Sequence, residues 1–191
     1  RSISPFLVPS VMLNAASCLV SLELGTTGPL NTSALACASG NYALLDAFHM
    51  MQRGEANVII AGGTEAAISP LILASFGRTG VLSCSNDDPQ GASRPFDKGR
   101  DGFVFGEGSA GFVLETEEHA QARGAKIYAE VLGGRLTSDS FHLTAPRPDG
   151  SRASAALQGA LESSGKSVED VDAIFAHGTA TVLGDVAETL A

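Results

Sequence analysis

"NTSALACASGNYALLDAFHMM", residues 31–51, is the stretch whose reading decides the fold. Thr32 to Ala36 reads as a short extended run. Ala43, Leu44, Ala47, Phe48 and Met51 then recur at helical spacing, and Gly54 closes the pattern. Cys37 stands at the junction of strand-like and helix-like sequence. By residue type alone a lone cysteine among alanines is a small core hydrophobe. Its surroundings favour a second reading. Ala36, Ala38, Ser39 and Gly40 permit a sharp turn and the close approach of another molecule, and a helix's first turn offers unpaired N–H groups. Such a terminus favours thiolate over thiol and makes the sulfur a nucleophile.

Working outward, "NVIIA" at 57–61 is a continuous apolar run before Gly62-Gly63, the pattern of a buried strand. With the preceding helix it completes one β-α-β step. "GSAGFVLET" supplies another strand. Thr116 is placed to cap a helix running through Arg123 to Gly124. "KIYAEVLGG" alternates like a half-buried strand, and Arg152 to Ser164 carries Ala153, Ala156, Leu157, Ala160 and Leu161 on one helical face. Ser167 with Glu169 and Asp170 opens a short helical turn. "DAIFAHG" reads as a buried strand ending at His177, and "APRPDGS" as a loop. Alternating strands and helices indicate an α/β layered fold.

Composition narrows the function classes. The 191 residues and 44% hydrophobic content suffice for a core, and 12 basic against 21 acidic residues, net −9, argue against a nucleic-acid surface. Cys18, Cys37 and Cys84 form no C-x-x-C pair, so the sequence suggests neither a disulfide framework nor a zinc site, and a reducing compartment fits. No apolar run approaches membrane-spanning length. The N-terminus "RSISPFLVPS" lacks a secretory signal's organisation, and both ends read as those of a fragment.

Several motifs need weighing. Gly106 to Gly111 matches G-x-G-x-x-G, but the strand-like "FVLE" that follows leaves no helix N-terminus for a pyrophosphate, so tight turning between strands is the better account. His49 and His119 lie in helical stretches with no carboxylate, His or Cys at ligand spacing and read as surface residues. Asp87 and Asp88 precede Pro89 in a solvated turn, and no metal is expected. His177 differs. It ends an apolar run and is followed by Gly178, Thr179 and Thr181, and strand ends of α/β sheets are where sites gather. A cysteine nucleophile needs a positioned imidazole, and two analogous junctions would bring Cys37 and His177 together.

"ACASG" at 36–40, "ASRPFDKGRDGFVFGEGSAGFVLE" at 92–115, "SDSFHLTAP" at 138–146 and "AHGTAT" at 176–181 together resemble the β-ketoacyl-acyl-carrier-protein synthases of the elongating KAS I/II kind, in the thiolase-like superfamily. The similarity runs through essentially all 191 residues, and the spacing 177 − 37 = 140 suits that family. The resemblance implies the thiolase-like layered αβαβα fold, of which this chain holds only the central part. That part is the end of the N-terminal half and the start of the C-terminal half.

The resemblance also implies a reaction, decarboxylating Claisen condensation that elongates fatty acyl chains by two carbons. Cys37 would carry the acyl group as a thioester and His177 would serve malonyl decarboxylation, with the Cys37 N–H in an oxyanion site. Phe76 matches the gate of the acyl pocket, Thr179 and Thr181 match hydroxyls that bind the pantetheine arm, and His142 and Thr144 match the substrate entrance. Arg1 and Arg78 match rim segments that meet an acidic acyl carrier protein. No cofactor is implied for the chain itself, since the phosphopantetheine belongs to the carrier protein. A homodimer joined through Leu30 to Leu35 and a cytoplasmic or organellar-matrix location are further expectations, with no nucleic acid and no membrane insertion.

Leu35, Ala180 and Val182 depart from the family's usual Thr, Ser and Pro. Its second histidine, its lysine and its glycine- and phenylalanine-rich loop come from a later segment than these residues. Two alternatives stay open: a polyketide ketosynthase, which commonly has a Ser-rich motif after the cysteine, and a non-catalytic ketosynthase-like remnant or subunit. Cys37 speaks against a chain-length-factor subunit, which often lacks it.

Overall fold

The computed structural model describes residues 3–191. Two compact units divide the chain, Arg1–Glu65 with Gly108–Val131, and Ala66–Glu107 with Leu132–Ala191.

The first unit is built on one strand pair and one helix. Helices α1 (Leu7–Val11) and α2 (Ala15–Leu24) precede an extended arm, and α2 ends at Gly25 with φ 65°. Helix α3 (Ser39–Gln52) follows a single 3-10 turn, Ala36–Ala38. Strand β1 (Val58–Glu65) pairs antiparallel with β2 (Gly108–Glu115), from Val58 opposite Glu115 to Glu65 opposite Gly108. Ile59 and Leu114 are cross-strand partners, and with Ala61 they meet Leu44, Ala47 and Met51 of α3 in the unit's core. That register places one face of the pair on the apolar stripe of the helix. Gly63 lets the head of α3 approach, for a Cβ there would lie 3.1 Å from the Gly40 Cα. Cys37 is three residues upstream of this contact. Asn31 Nδ2 donates to Asp46 Oδ2 at 2.8 Å and anchors the arm to α3.

Thr116 caps α5 (Glu117–Ala122) by accepting from the His119 N–H, as its position before the acidic pair suggests. Glu115, at the end of β2, pairs with both His119 and Arg123. His119 therefore has a carboxylate four residues before it and is half-buried, which corrects its reading as an unpartnered surface residue. The i, i+4 relation runs across a strand-to-helix boundary, where a helical wheel does not show it.

The second unit contains α4 (Pro70–Thr79), α6 (Ser151–Ser164) and α7 (Val182–Leu190), and a 3-10 turn, Val168–Asp170, closed by a full capping box from Ser167. Irregular segments joined by side chains lie between them. Arg94 donates to the Gly91 and Gly99 carbonyls, to Ser85 Oγ and to Asp101. The Ser83 hydroxyl, followed by the Cys84 N–H, holds the Asp101 carboxyl below its usual range. Asp88 Oδ1 accepts from the Gly91 N–H, confirming a turn at Asp87 and Asp88.

Three strand expectations fail. Thr32 to Ala36, "KIYAEVLGG" and "DAIFAHG" are all unpaired among the described residues, and β1 pairs with β2 and not with a strand preceding α3. Phe175 is 100% exposed and Ile174 is exposed beside it, so "DAIFAHG" is not buried in this chain. A strand exists only with a ladder partner for its N–H and C=O groups, and apolar composition does not supply one. No helix among the described residues is long and apolar enough to cross a membrane.

Candidate active site

Cys37 occupies the middle of the 3-10 turn, and its side chain is exposed, which removes the reading as a core hydrophobe. Ala36 immediately before it has φ 48°, a left-handed conformation that a residue with a Cβ seldom adopts. Ser39 holds this bend on both sides. Its Oγ donates to the Ala36 carbonyl at 2.7 Å and accepts from the Leu35 N–H at 2.8 Å. The Ala38 N–H donates to the Leu35 carbonyl at 3.1 Å, while the Cys37 N–H has no acceptor among the described residues. A free N–H beside an exposed sulfur, at the head of a 14-residue helix, is the geometry an oxyanion donor needs. Cys84 is exposed as well, but it sits in an irregular loop and ahead of no helix.

In the second unit His177 lies in an exposed turn that α7 holds from behind. Glu188, eleven residues on, accepts the His177 N–H and the Gly178 N–H with its two carboxylate oxygens, at 2.5 and 2.8 Å. Thr181 caps α7 by accepting the Gly184 N–H at 3.1 Å, and its hydroxyl lies 3.0 Å from that of Thr179. One hydroxyl of the pair donates to the other, so one O–H remains free for a further acceptor.

Asp185 is fully buried at the first turn of α7 and is linked to the end of the turn, at Thr181, through Arg100. Its Oδ2 accepts the Phe96 N–H at 2.6 Å and pairs with Arg100 Nε at 3.3 Å; its Oδ1 has no partner. Arg100 also donates to the carbonyls of Asp97, Thr181 and Val182. Phe96 and Ala180 have φ of 64° and 60°, and the Gly102 N–H donates to the Ala180 carbonyl. Two strained backbone positions are thus tied together around one buried carboxylate beside the histidine turn. Such strain persists only where its surroundings over-determine it, and it concentrates at functional sites.

Phe76, on α4, packs against Phe103 and Phe105, with ring centroids 5.7 and 5.2 Å away. Arg78 is exposed on the last turn of the same helix. His142 and Thr144 belong to one exposed turn, in which His142 Nδ1 accepts the Thr144 N–H. Cys37 belongs to the first unit, and Phe76, Arg78, His142, Thr144, His177, Thr179 and Thr181 to the second. Arg1 lies outside the described residues.

Residues 1–120 match the model of the beta-ketoacyl synthase N-terminal domain, and residues 128–191 that of its C-terminal domain. The chain belongs to the beta-ketoacyl synthase family. This ketosynthase sequence is 53% identical, over 98% of its length, to the 3-oxoacyl-[acyl-carrier-protein] synthase 2 of a Synechocystis species, of which it covers 45%. It is 50% identical over 98% of its length to the chloroplastic 3-oxoacyl-[acyl-carrier-protein] synthase I of Arabidopsis thaliana, covering 40% of that protein. The chain spans about half the length of the curated relatives it matches. Among solved structures it resembles a type II polyketide ketosynthase in complex with its acyl carrier protein, with TM-score 0.93 and 33% identity, over 100% of this chain and 48% of that one. The fold is the α/β, thiolase-like fold of the ketosynthases.

Glu188, Asp185, Arg100 and Phe105 were not singled out in the sequence. The acidic residues following "AHGTAT" were the available signal, since a short helix opening just after a histidine turn is placed to return a carboxylate to it.

Proposed function

We propose that the protein carrying this chain is a β-ketoacyl-acyl-carrier-protein synthase of fatty acid elongation. The exposed Cys37 thiol on its strained turn, in a chain about half identical to 3-oxoacyl-[acyl-carrier-protein] synthases, carries this reading. The Cys37 thiolate attacks an acyl thioester, its S–C bond forms, and the carrier's pantetheine thiol leaves. The free Cys37 N–H stabilises the oxyanion. Malonyl-carrier protein then loses carbon dioxide by C–C cleavage, and His177 stabilises the enolate. The enolate carbon attacks the acyl-Cys37 carbonyl, forming the new C–C bond and expelling the thiolate. Phe76 bounds the acyl pocket, Thr179 and Thr181 hydrogen-bond the pantetheine arm, and His142 and Thr144 stand at its entrance.

The partner is an acyl carrier protein bearing acyl or malonyl groups, with Arg78 and Arg1 among the cations that meet its acidic surface. The protein brings its own nucleophile and imidazole, and the phosphopantetheine comes with the partner. Two copies join through the unpaired arm from Leu30 to Leu35 into an isologous dimer. The location is cytoplasmic or an organellar matrix, the second supported by the chloroplastic name of the Arabidopsis relative. A polyketide ketosynthase is the second reading, favoured by the TM-score of 0.93. At 33% identity that relative stands further from this chain than the fatty-acid enzymes do.

Acyl transfer and carbon dioxide release, measured separately on the complete protein, test the assignment. Cys37→Ala should abolish acylation, while His177→Ala should retain it and lose about a hundredfold or more in decarboxylation, the usual span for a positioned acid-base or electrostatic group. Persistent acylation in Cys37→Ala overturns the reading.

A further inference from the structure

Gly102 and Phe103 are adjacent residues that hold two different parts of the second unit. On one side the Phe103 ring meets Phe76 edge-on, with centroids 5.7 Å apart, and Phe105 closes the cluster. Phe76 is exposed and the other two rings are half-buried, so a molecule arriving from solvent meets Phe76 first. On the other side the Gly102 N–H donates to the Ala180 carbonyl at 3.0 Å. Ala180 is fully buried, has φ 60°, and stands between Thr179 and Thr181, whose hydroxyls are paired.

The backbone joining the two sides is closely held. The Phe103 N–H donates to the Val81 carbonyl at 2.9 Å, and its carbonyl accepts the Ser83 N–H at 3.0 Å. Gly102 is buried with φ 137°, and a Cβ there would collide with the Val81 carbonyl oxygen and lie 2.7 Å from the Leu82 carbonyl carbon. Pro95 and Phe96, at the start of the same segment, lie against Gly178, where a Cβ would be 3.4 Å from each. A close-packed interior passes on the displacement of a ring and does not absorb it. The strained residue Ala180 is the one that such a shift releases.

We infer that Gly102 and Phe103 are positioning residues that couple the acyl gate to the hydroxyl pair: a chain long enough to displace Phe76 shifts Phe103 and Gly102, loosens Ala180, and tightens binding of the malonyl arm. The direction follows from the hydroxyls. At 3.0 Å one donates to the other, and separating them frees a second O–H for the arm. By linkage a bound arm favours the displaced gate to the same degree. The inference rests on the ketosynthase reading for the two ligands, while the link itself lies wholly within the second unit.

In the complete protein, Cys37 is alkylated with iodoacetamide or with its N-octyl derivative, in a Cys84→Ser background because Cys84 is the other exposed thiol. The two adducts share the same bond at sulfur, so their comparison isolates chain length. Kd is measured for a carrier protein charged with a non-hydrolysable amide analogue of malonyl-pantetheine. The Ala180 methyl group is followed by 13C NMR and assigned by its loss in Ala180→Gly, a substitution that φ 60° admits. We expect the octyl adduct to bind about fivefold tighter than the short one, the low end of ordinary coupling, with a shifted Ala180 methyl. Phe103→Leu keeps apolar bulk but removes the ring edge that Phe76 meets, and should bring the Kd ratio of the two adducts near one. The two readouts on the parent decide the matter even where Phe103→Leu does not fold. Equal or weaker binding by the octyl adduct, an unmoved Ala180 methyl, or a ratio that persists in Phe103→Leu overturns the coupling and leaves the ketosynthase reading in place. Failure of the unalkylated protein to bind the charged carrier would overturn that reading, and the coupling with it.

Discussion

Replacing Asp185 with alanine tests whether one buried carboxylate holds the histidine turn. Three terms set the size of the effect. The Phe96 N–H loses its acceptor at 2.6 Å, which costs about 1–3 kcal/mol for a donor withdrawn from water. Arg100, whose side chain is 14% exposed, loses its counter-charge at 3.3 Å. Removing one partner of a buried pair costs about 3–5 kcal/mol when the remaining charge is stranded, but Arg100 keeps three carbonyl acceptors, so about 1–2 kcal/mol is expected. Against these, the unpartnered Oδ1 is itself an unfavourable burial, and deleting it returns about 1 kcal/mol. The net expectation is destabilisation of about 3 kcal/mol, with Asp185→Asn, which keeps volume and an acceptor, near half of that. Urea unfolding of the complete protein at neutral pH measures both, read as a shift in midpoint at unchanged slope. If Asp185→Ala lies within about 0.5 kcal/mol of the parent, the range expected of ordinary surface changes, the carboxylate is not the anchor described here. Acylation of Cys37 in the same variant should survive better than decarboxylation, because the disturbed backbone belongs to the histidine turn.

Two further outcomes follow from the first unit. Hydrogen bonds from Arg123 and then His119 hold Glu115 down at about 2, against an ordinary value of 4.5. A depressed carboxyl contributes stability that is complete above the ordinary value and is lost as pH falls from there toward 2. The stability gap between the parent and Glu115→Gln should therefore be full at pH 6 and narrow steadily on acidification below about 4.5; a gap independent of pH would exclude the pairing. Gly62→Ala would drive a Cβ into the Ala110 carbonyl oxygen and to 2.8 Å from the Gly111 Cα, both backbone atoms of the paired strand. Because neither can rotate away, a loss of about 3 kcal/mol or more is expected, and an unaltered urea midpoint would show that β1 and β2 are not paired in this register.

Much of this protein was determined locally and could be read from the chain. The helix after Cys37, the Thr116 cap, the Ser167 capping box and the helix from Ser151 to Ser164 rest on contacts within four residues, so propensity and periodicity suffice for them. The candidate roles of Cys37 and His177 were drawn from the same kind of local signal, each being a reactive side chain next to small residues at the end of an apolar run. Tertiary structure decided the strands and the supports of the site. β1 chooses a partner fifty residues later in the chain and runs antiparallel to it, while two equally apolar segments find none, because a strand is a property of two segments and not of one. Phe96 meets Asp185 across 89 residues, and the pairs Phe76 with Phe105 and Glu188 with His177 are likewise side-chain encounters that no local period encodes. The sequence by itself offered candidate reactive groups; the folded chain alone determined which carboxylate, arginine and aromatic ring surround the His177 turn and Phe76, because those contacts exist only once distant segments share the same few ångströms.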